Sequence, residues 1–407
     1  MSMTVGEAGR TLADPTAYAD DARLHRALAV LRREAPVHWV EAPGYNPFWA
    51  VTRHADIQEI ERLGHIFLNA PRPLLVTAKL DAVNRQSEER QVGLRPLVHL
   101  DDPQHRLMRA VTADSFRPQS ISAFAPRVRE LARSSVDRMR GHDGAYDFVS
   151  RVSDVYTLEV LLSLLGLADE EYEQIFRFTP AARRRMPLDD RHASIREFYA
   201  YFTALAEERR ASPTEDLSSV IANARVEGRP LDGRETLSQY IIVLAAGHDT
   251  ASASIAGGLR ALIEHPEQLE ILRESPEHLP SAADEIIRWT TPVKAFMRTA
   301  RADHRLRDVV IRKGQSVLLS YPSANRDEAV FDRPDTFDVR RTPNRHLAFG
   351  HGVHHCLGSA LAKLEVEAFF SELIPRLRTA EPAGEPEQLK STFSGGLKYL
   401  PVRCSVR

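Results

Sequence analysis

The chain has 407 residues, with 54 basic and 56 acidic side chains interleaved along it, and its net charge of −2 predicts no nucleic-acid partner. Its two cysteines exclude a disulfide framework, and the absence of a signal-peptide pattern or an apolar run of membrane-spanning length predicts a cytoplasmic protein without membrane contact. No linker, low-complexity tract or repeat divides the sequence, so we predict a single domain over residues 1–407.

The N-terminal part of the chain is predicted to mix strands, a helix and a long loop. Residues 37–40 and 48–51 are rich in β-formers and flank a Pro/Gly turn, which predicts a hairpin. Residues 56–63 have a helical pattern. Residues 70–100 show no clear apolar period, and we predict that they are mostly loop.

Helices are predicted for most of the remaining sequence. From about Pro103 to Leu259, apolar residues recur at steps of three and four. Strands are predicted again at 309–311 and 316–319, a helix after Cys356, and a short strand at the tail. The predicted fold is therefore mainly α with a smaller β region.

The most informative segment is residues 349–358, Phe-Gly-His-Gly-Val-His-His-Cys-Leu-Gly. An isolated cysteine is usually a buried structural residue, but these glycines and histidines fit a core position badly. Cys356 also precedes a predicted helix, whose dipole favours a thiolate, and haem iron is one partner for such a thiolate. Zinc is an alternative, since His351, His354 and His355 are possible ligands, although no second Cys/His pair stands out.

A second candidate segment is Asp249-Thr250, inside a helix predicted from Thr236 to Leu259. Such residues in mid-helix are commonly exposed or bonded to the preceding turn. Here residues 241–246 are apolar on every face, which predicts that the helix is buried and that Asp249 has a specific role. An acid beside an alcohol can deliver protons to a reaction. His248 is given no chemical role.

These segments resemble the cytochrome P450 family. Residues 349–358 are similar to its haem-binding loop, Ala246–Thr250 to its oxygen-activation motif, and Glu285 with Arg288 to its Glu-x-x-Arg motif. The resemblance covers nearly the whole chain. It implies a triangular, mainly helical domain that holds haem b between the Thr250 helix and the Cys356 helix.

In several stretches, such as residues 289–298 and 319–327, the sequence most resembles the α-terpineol hydroxylase branch of the soluble bacterial members. The resemblance implies that Cys356 binds the iron, that Asp249 relays protons and that Thr250 orients oxygen. The implied haem propionate ligands are His105, Arg109, Arg298 and His354. The implied substrate-contact residues are Ala246, Gly247, Ala295, Phe296 and Phe393. The residues implied to stabilise the haem loop are Glu285, Arg288 and Arg340.

The implied reaction inserts one atom of O2 into a C–H bond of a small apolar substrate, a terpenoid or alkyl-aromatic compound, and releases the other atom as water. Electrons would come from NAD(P)H through a reductase and an iron–sulfur ferredoxin, while haem performs the chemistry. A peroxide-driven haem-thiolate enzyme is an alternative, disfavoured because such relatives generally replace the Asp249-Thr250 pair. A steroid or fatty-acid hydroxylase is another alternative, and a zinc-binding structural protein is the most remote.

Overall fold

A computed structural model describes residues 3–90, 93–140 and 144–407. In this part of the chain the helices are α1 (Val5–Thr11), α2 (Asp21–Glu34), α3 (His54–Arg62), α4 (Ala78–Glu89), α5 (Gln104–Ala113), α6 (Pro118–Arg138), α7 (Asp154–Leu165), α8 (Tyr172–Phe178), α9 (Pro180–Arg185), α10 (Leu188–Ala211), α11 (Leu217–Ala222), α12 (Gly233–Glu264), α13 (Pro266–Glu274), α14 (Leu279–Thr290), α15 (Tyr321–Ala324) and α16 (Ser359–Leu373).

The strands are β1 (Val37–Val40), β2 (Phe48–Val51), β3 (Phe67–Leu68), β4 (Tyr146–Asp147), β5 (Arg225–Val226), β6 (Arg229–Pro230), β7 (Ala295–Ala300), β8 (His304–Leu306), β9 (Val309–Ile311), β10 (Ser316–Ser320), β11 (Leu377–Pro382), β12 (Glu387–Gln388), β13 (Leu397–Tyr399) and β14 (Pro401–Val406). The prediction of a mainly α fold with a smaller β region is confirmed.

The chain forms two compact units. The first comprises Met1–Val92, Ala253–Cys356 and Glu381–Val402. Its largest sheet has the strand order β1-β2-β10-β7-β3. The predicted hairpin is present, since β1 and β2 are antiparallel with Val37 opposite Val51. Strand β10 runs parallel to β2 and antiparallel to β7.

The core of the first unit lies on both faces of this sheet. Every residue of β10 is buried. Leu318 packs in a cluster with residues of α1 and α2, whereas Val317 and Leu319 pack in another with Ile57 and Ile60 of α3. Because successive strand residues point to opposite faces, a central strand covered on both faces is apolar without alternation.

The second unit comprises Gly93–Ser252, Leu357–Ala380 and Arg403–Arg407. Its main apolar cluster joins α7, α8, α10, α11 and the first half of α12. Aromatic rings contribute strongly there, and the rings of Phe202 and Tyr240 are stacked with centroids 4.7 Å apart. Helix α16 packs against α6 in the same unit.

One element differs from the sequence prediction. Residues 78–89 form helix α4 instead of loop. Most of them are good helix formers, so a helix is favoured even without an apolar stripe. Leu80 and Val83 are exposed, and the sequence therefore shows no apolar period here. Strands β9 and β10 exist as predicted; β9 pairs with β8, and β10 pairs with β2 and β7. Over the residues described above, no helix has the length and apolarity needed to cross a bilayer.

Candidate active site

The Cys356 loop of the first unit has a backbone that requires glycine. Gly350 and Gly352 both have φ of +67°, which is in the left-handed region, and a side chain at Gly352 would overlap the carbonyl of Glu61. The Cys356 N–H donates to the Phe349 carbonyl at 2.8 Å. Cys356 is exposed, whereas Cys404 is buried. An accessible thiol on a constrained loop, three residues before α16, would suit the binding of a haem iron through its sulfur.

The histidines of this loop do not join Cys356 in a metal site. Within residues 3–90, 93–140 and 144–407, no group of three or more His, Cys, Asp or Glu side chains is placed to hold a metal ion. The ring of His354 lies with Nδ1 3.5 Å from the Asn69 amide nitrogen, and His351 Nε2 accepts a hydrogen bond from Arg62. The alternative of a structural zinc site is therefore not supported.

Arg298 on β7 is a buried cation with an anionic neighbour that the sequence did not indicate. Its guanidinium donates to Glu61 Oε1 at 3.2 Å, and the Tyr321 hydroxyl donates to the same oxygen at 2.7 Å. Burial raises the pKa of Glu61 to about 7, although Arg298 opposes the rise. The guanidinium has further N–H donors for a second carboxylate, and Arg298 therefore fits its predicted propionate role.

Glu285 and Arg288 on α14 form a fully buried ion pair. Arg288 donates to Glu285 at 2.7 and 2.8 Å and to the carbonyls of Asn325, Pro334 and Thr336. The Asn325 side chain in turn accepts from the Leu347 N–H at 2.6 Å, just before the Cys356 loop. The pair thus contacts the polypeptide that leads into this loop.

The arginine that completes this pair is Arg341, and the prediction of Arg340 was wrong. Arg341 Nε lies 3.1 Å from Glu285 Oε2 and its side chain is 11% exposed. Arg340 contacts Asp338 instead, and its side chain is 54% exposed. The two neighbouring arginines are chemically equivalent, so only the loop conformation decides between them. Glu285, Arg288 and Arg341 are called the Glu285 cluster below.

Asp249 on α12 is buried in the second unit, as predicted. Its carboxylate accepts hydrogen bonds from Arg184 at 2.7 Å and from the Ala181 N–H at 3.3 Å. His248 Nδ1 lies 3.1 Å from the same carboxylate, and His248 Nε2 lies 3.0 Å from the Asp154 carbonyl. Arg184, His248 and Asp249 are called the Asp249 cluster below.

In the Asp249 cluster, charges and hydrogen bonds affect the pKa values of Asp249 and His248 more strongly than burial does. Burial alone would raise the pKa of Asp249, but the hydrogen bond from His248 and the charge of Arg184 lower it. Burial alone would lower the pKa of His248, but its hydrogen bond to Asp249 and the nearby Asp154 raise it. The geometry therefore favours an ionised carboxylate beside a protonated imidazole.

Thr250 and Ala246 lie one turn apart on a face of α12 that is not buried. The Thr250 hydroxyl donates to the Ala246 carbonyl at 2.7 Å, Ala246 is exposed and Thr250 is half-buried. Residues 241–245, which precede this face, are buried or half-buried. Packing explains why residue 247 is a glycine, because a β-carbon there would come within 2.8 Å of the Leu161 side chain. An accessible hydroxyl beside a buried acid suits the predicted proton delivery.

The predicted substrate-contact residues of the first unit are only partly brought together. The rings of Phe296 and Phe393 are in contact, with centroids 5.3 Å apart. Ala295 instead packs in the core with Phe48 and Leu318. Neighbouring residues of a strand point to opposite faces, so Ala295 does not share the face of Phe296, and its predicted place in the pocket wall is not supported.

The remaining predicted propionate ligands lie on α5. His105 and Arg109 are four residues apart on one face of this helix, where His105 is buried and Arg109 is half-buried. His105 Nδ1 lies 3.8 Å from Asp102.

Sequence reasoning missed several side chains that contact the predicted site residues, among them Glu61, Arg184, His248 and Arg341. A signal existed for His248 alone, because a polar ring within an apolar helical stretch needs buried partners.

The comparisons with known proteins agree with this architecture. Residues 164–403 match the family model described as Cytochrome P450. The chain is 36% identical to Cytochrome P450-terp from a Pseudomonas species, over 97% of this chain and 96% of that protein. It is 35% identical to the Steroid C26-monooxygenase of Mycolicibacterium smegmatis, over 92% and 89%. The crystal structure of CYP108D1 from Novosphingobium aromaticivorans matches with a TM-score of 0.91 at 36% identity, covering 100% of both chains.

The chain belongs to the cytochrome P450 family. The predicted family fold, the haem b cofactor and the monooxygenase activity are thereby confirmed. Haem b, held through a cysteine thiolate, supplies the O2 chemistry of this family when bound. The protein of such an enzyme binds the cofactor and orients the substrate.

Proposed function

We propose that this chain hydroxylates a small apolar substrate, a terpenoid or an alkyl-aromatic compound, with O2 and with electrons from NAD(P)H passed through a reductase and an iron–sulfur ferredoxin. The observation that carries the proposal is the buried Asp249 cluster, which Thr250 follows directly in the chain on a face of α12 that is not buried. Hydroxylation with O2 consumes two electrons and two protons, whereas hydrogen peroxide already contains them. A built proton source therefore supports O2 as the oxidant.

Cys356 Sγ is the proposed iron ligand, and Arg298, His354, His105 and Arg109 are the proposed propionate ligands. Arg298 would form a charge-assisted hydrogen bond to a propionate while it keeps its contact with Glu61. Asp249 is the proposed proton relay, since His248 and Arg184 stabilise its ionised form between proton transfers. Thr250 is proposed to position the delivered proton: its hydroxyl donates to the Ala246 carbonyl, so the hydroxyl oxygen can accept a hydrogen bond from a water that carries the proton.

The substrate class is supported by the contact between Phe296 and Phe393 and by Cytochrome P450-terp, which is similar over nearly the whole chain. Aromatic walls bind compact apolar molecules through burial of surface and offer no charged anchor. The Steroid C26-monooxygenase and the Methyl-branched lipid omega-hydroxylase of Mycobacterium bovis are 35% and 34% identical, so larger substrates are the class to test against.

A spectral titration of the haem-loaded protein tests the substrate class. Monoterpenes and alkylbenzenes should shift the haem absorption at concentrations at least tenfold lower than steroids or fatty acids do. Tighter binding of a steroid or fatty acid would overturn the class. In turnover, product should form with reduced ferredoxin, NADH and O2, and a higher rate with hydrogen peroxide alone would overturn the electron source.

Replacement of the cysteines tests the iron ligand. The ferrous–CO spectrum of Cys356→His should lose the long-wavelength band of thiolate ligation. The matched variant Cys404→Ala removes a buried cysteine outside the loop and should keep that band. Retention of the band in Cys356→His would contradict the assignment.

A further inference from the structure

The first unit contains a cavity of about 350 Å³ that none of the proposed catalytic, haem-binding or substrate-contact residues lines. Its walls come from α2, the second half of α12, the end of α14 and the tail strands. Apolar contributions include Leu24, Ala253 and Leu397. Its distinctive feature is the presence of two buried cations, Lys294 and Arg326, which are 9% and 6% exposed. Buried cations require an explanation.

Lys294 is held inside without a counterion. Its ammonium donates one hydrogen bond, to the Thr290 carbonyl at 2.8 Å, and among the residues that the structure describes it forms no ion pair. Its side chain lies directly over Gly395, where any β-carbon would collide with it. Burial lowers the pKa of Lys294 to about 8. Two of its three N–H donors remain for another acceptor.

Arg326 forms an ion pair only through its Nε, with an exposed aspartate. Its Nε lies 3.1 Å from Asp335, whose side chain is 72% exposed, and its guanidinium stacks over the Trp289 ring at 4.5 Å. Burial and the nearby Arg288 lower the pKa of Arg326 to about 10. An ion pair with so exposed a partner contributes little, so most of the positive charge of Arg326 remains uncompensated.

The positive charges that line the cavity affect the pKa of His25. Its Nδ1 is buried and has no hydrogen-bond partner within the described ranges. Burial, followed by the charges of Arg326 and Lys294, holds the pKa of His25 well below its ordinary value. The ring is therefore neutral, and it offers either a donor or an acceptor to a bound molecule.

The acidic residues of the cavity do not cancel its two cations. Asp21 and Glu264 also line it, but their side chains are about half exposed, and both contact Arg260, at 3.5 and 2.7 Å. Asp21 also accepts a hydrogen bond from Gln388. Asp21 and Glu264 therefore pair with Arg260, and the half-exposed Asp21 offsets the charges of the buried Lys294 and Arg326 only in part.

We propose that this cavity binds a small organic monocarboxylate, which Lys294 and Arg326 hold by its two oxygens while Trp289 and the apolar wall contact its carbon skeleton. A carboxylate matches the planar fork of an arginine and the point charge of an ammonium. The volume is far larger than a halide needs and matches a compact acid. Binding would bring a negative charge to Lys294, which forms no ion pair within the described residues, and to Arg326, whose ion-pair partner Asp335 is exposed.

Calorimetric titration of the haem-loaded protein tests the proposal, with sodium benzoate as the probe. Benzoate should bind with a dissociation constant below about 1 mM. Benzamide has the same shape without the charge, and it should bind at least tenfold more weakly. Sodium chloride at the same ionic strength should leave benzoate binding within a factor of two. Equal binding of benzamide, displacement by equimolar chloride or no heat at all would overturn the proposal.

Variants of the two cations assign the binding to this cavity. Lys294→Met and Arg326→Gln should each weaken benzoate binding at least tenfold, whereas Lys313→Met, at an exposed lysine of the first unit, should leave it unchanged. Benzoate should also raise the unfolding temperature of the wild type but not of Lys294→Met. Undiminished binding in Lys294→Met and Arg326→Gln would overturn the proposal, even if benzoate binds elsewhere on the protein.

Discussion

The Glu285 cluster and the Asp249 cluster are both buried groups of charges, but their chemistry differs. Glu285 accepts from two arginines, from the Asn344 amide and from the Asp338 N–H, so its carboxylate is saturated by groups that do not titrate near neutral pH. The Asp249 cluster contains a histidine, and its arginine is 36% exposed. A saturated cluster fixes structure, whereas a cluster with a titratable member and an exposed partner can exchange protons.

The largest expected effect is on stability, in the Glu285 cluster. Glu285→Gln removes the charge that compensates Arg288, and we expect the free energy of unfolding to fall by about 3–5 kcal/mol. Denaturant unfolding measures this change. Arg340→Ala is the matched control, because Arg340 lies beside the cluster without joining it, and it should change stability by less than about 0.5 kcal/mol. Equal effects of the two variants would refute the assignment to Arg341.

Asp249→Asn should act mainly on catalysis. Loss of a proton relay should lower kcat by about 100-fold and increase the solvent isotope effect, with the haem content unchanged. Stability should fall by only about 1–2 kcal/mol, because His248 can lose its proton and Arg184 is partly solvated. Asp303→Asn, at a half-exposed acid, is the control. A stability loss as large as that of Glu285→Gln, with normal turnover, would make the Asp249 cluster purely structural.

The pH dependence of stability should separate the clusters further. The folded pKa of Asp249 is lowered, so its stabilisation is complete above about pH 4 and is lost as the pH falls through that folded pKa. The folded pKa of His248 is raised, so its stabilisation is complete below about pH 6.5 and is lost as the pH rises through the folded value. The difference in unfolding free energy between wild type and Asp249→Asn should therefore be greatest between about pH 4 and 6.5. A difference that grows above pH 8 would contradict this pairing.

Local sequence patterns predicted the features that local chemistry decides. The β1–β2 hairpin and the long α12 followed from turn residues and apolar spacing. Helix α4 was missed because its apolar residues are exposed and give no stripe. Sequence could not distinguish Arg341 from Arg340, since the two differ only in where the loop directs them.

Long-range contacts also escaped the sequence. The partners of His248 include Asp154, which is 94 residues away in the chain. The contact through which His248 positions Asp249 therefore became visible only in the folded structure. The face of Ala295 was likewise undecided, because the phase of β7 depends on which side of the sheet α1 and α2 cover.

The yield of hydroxylated product per NADH consumed in Thr250→Ala tests the central claim most directly. The claim is that Asp249 carries protons and the Thr250 hydroxyl places them. An alanine methyl forms no hydrogen bond and cannot position the proton. NADH oxidation should therefore continue while hydrogen peroxide accumulates at the expense of product. Haem content and substrate affinity should be nearly unchanged. Asp249→Asn should instead slow NADH oxidation itself. Full product yield per NADH in Thr250→Ala would contradict the account.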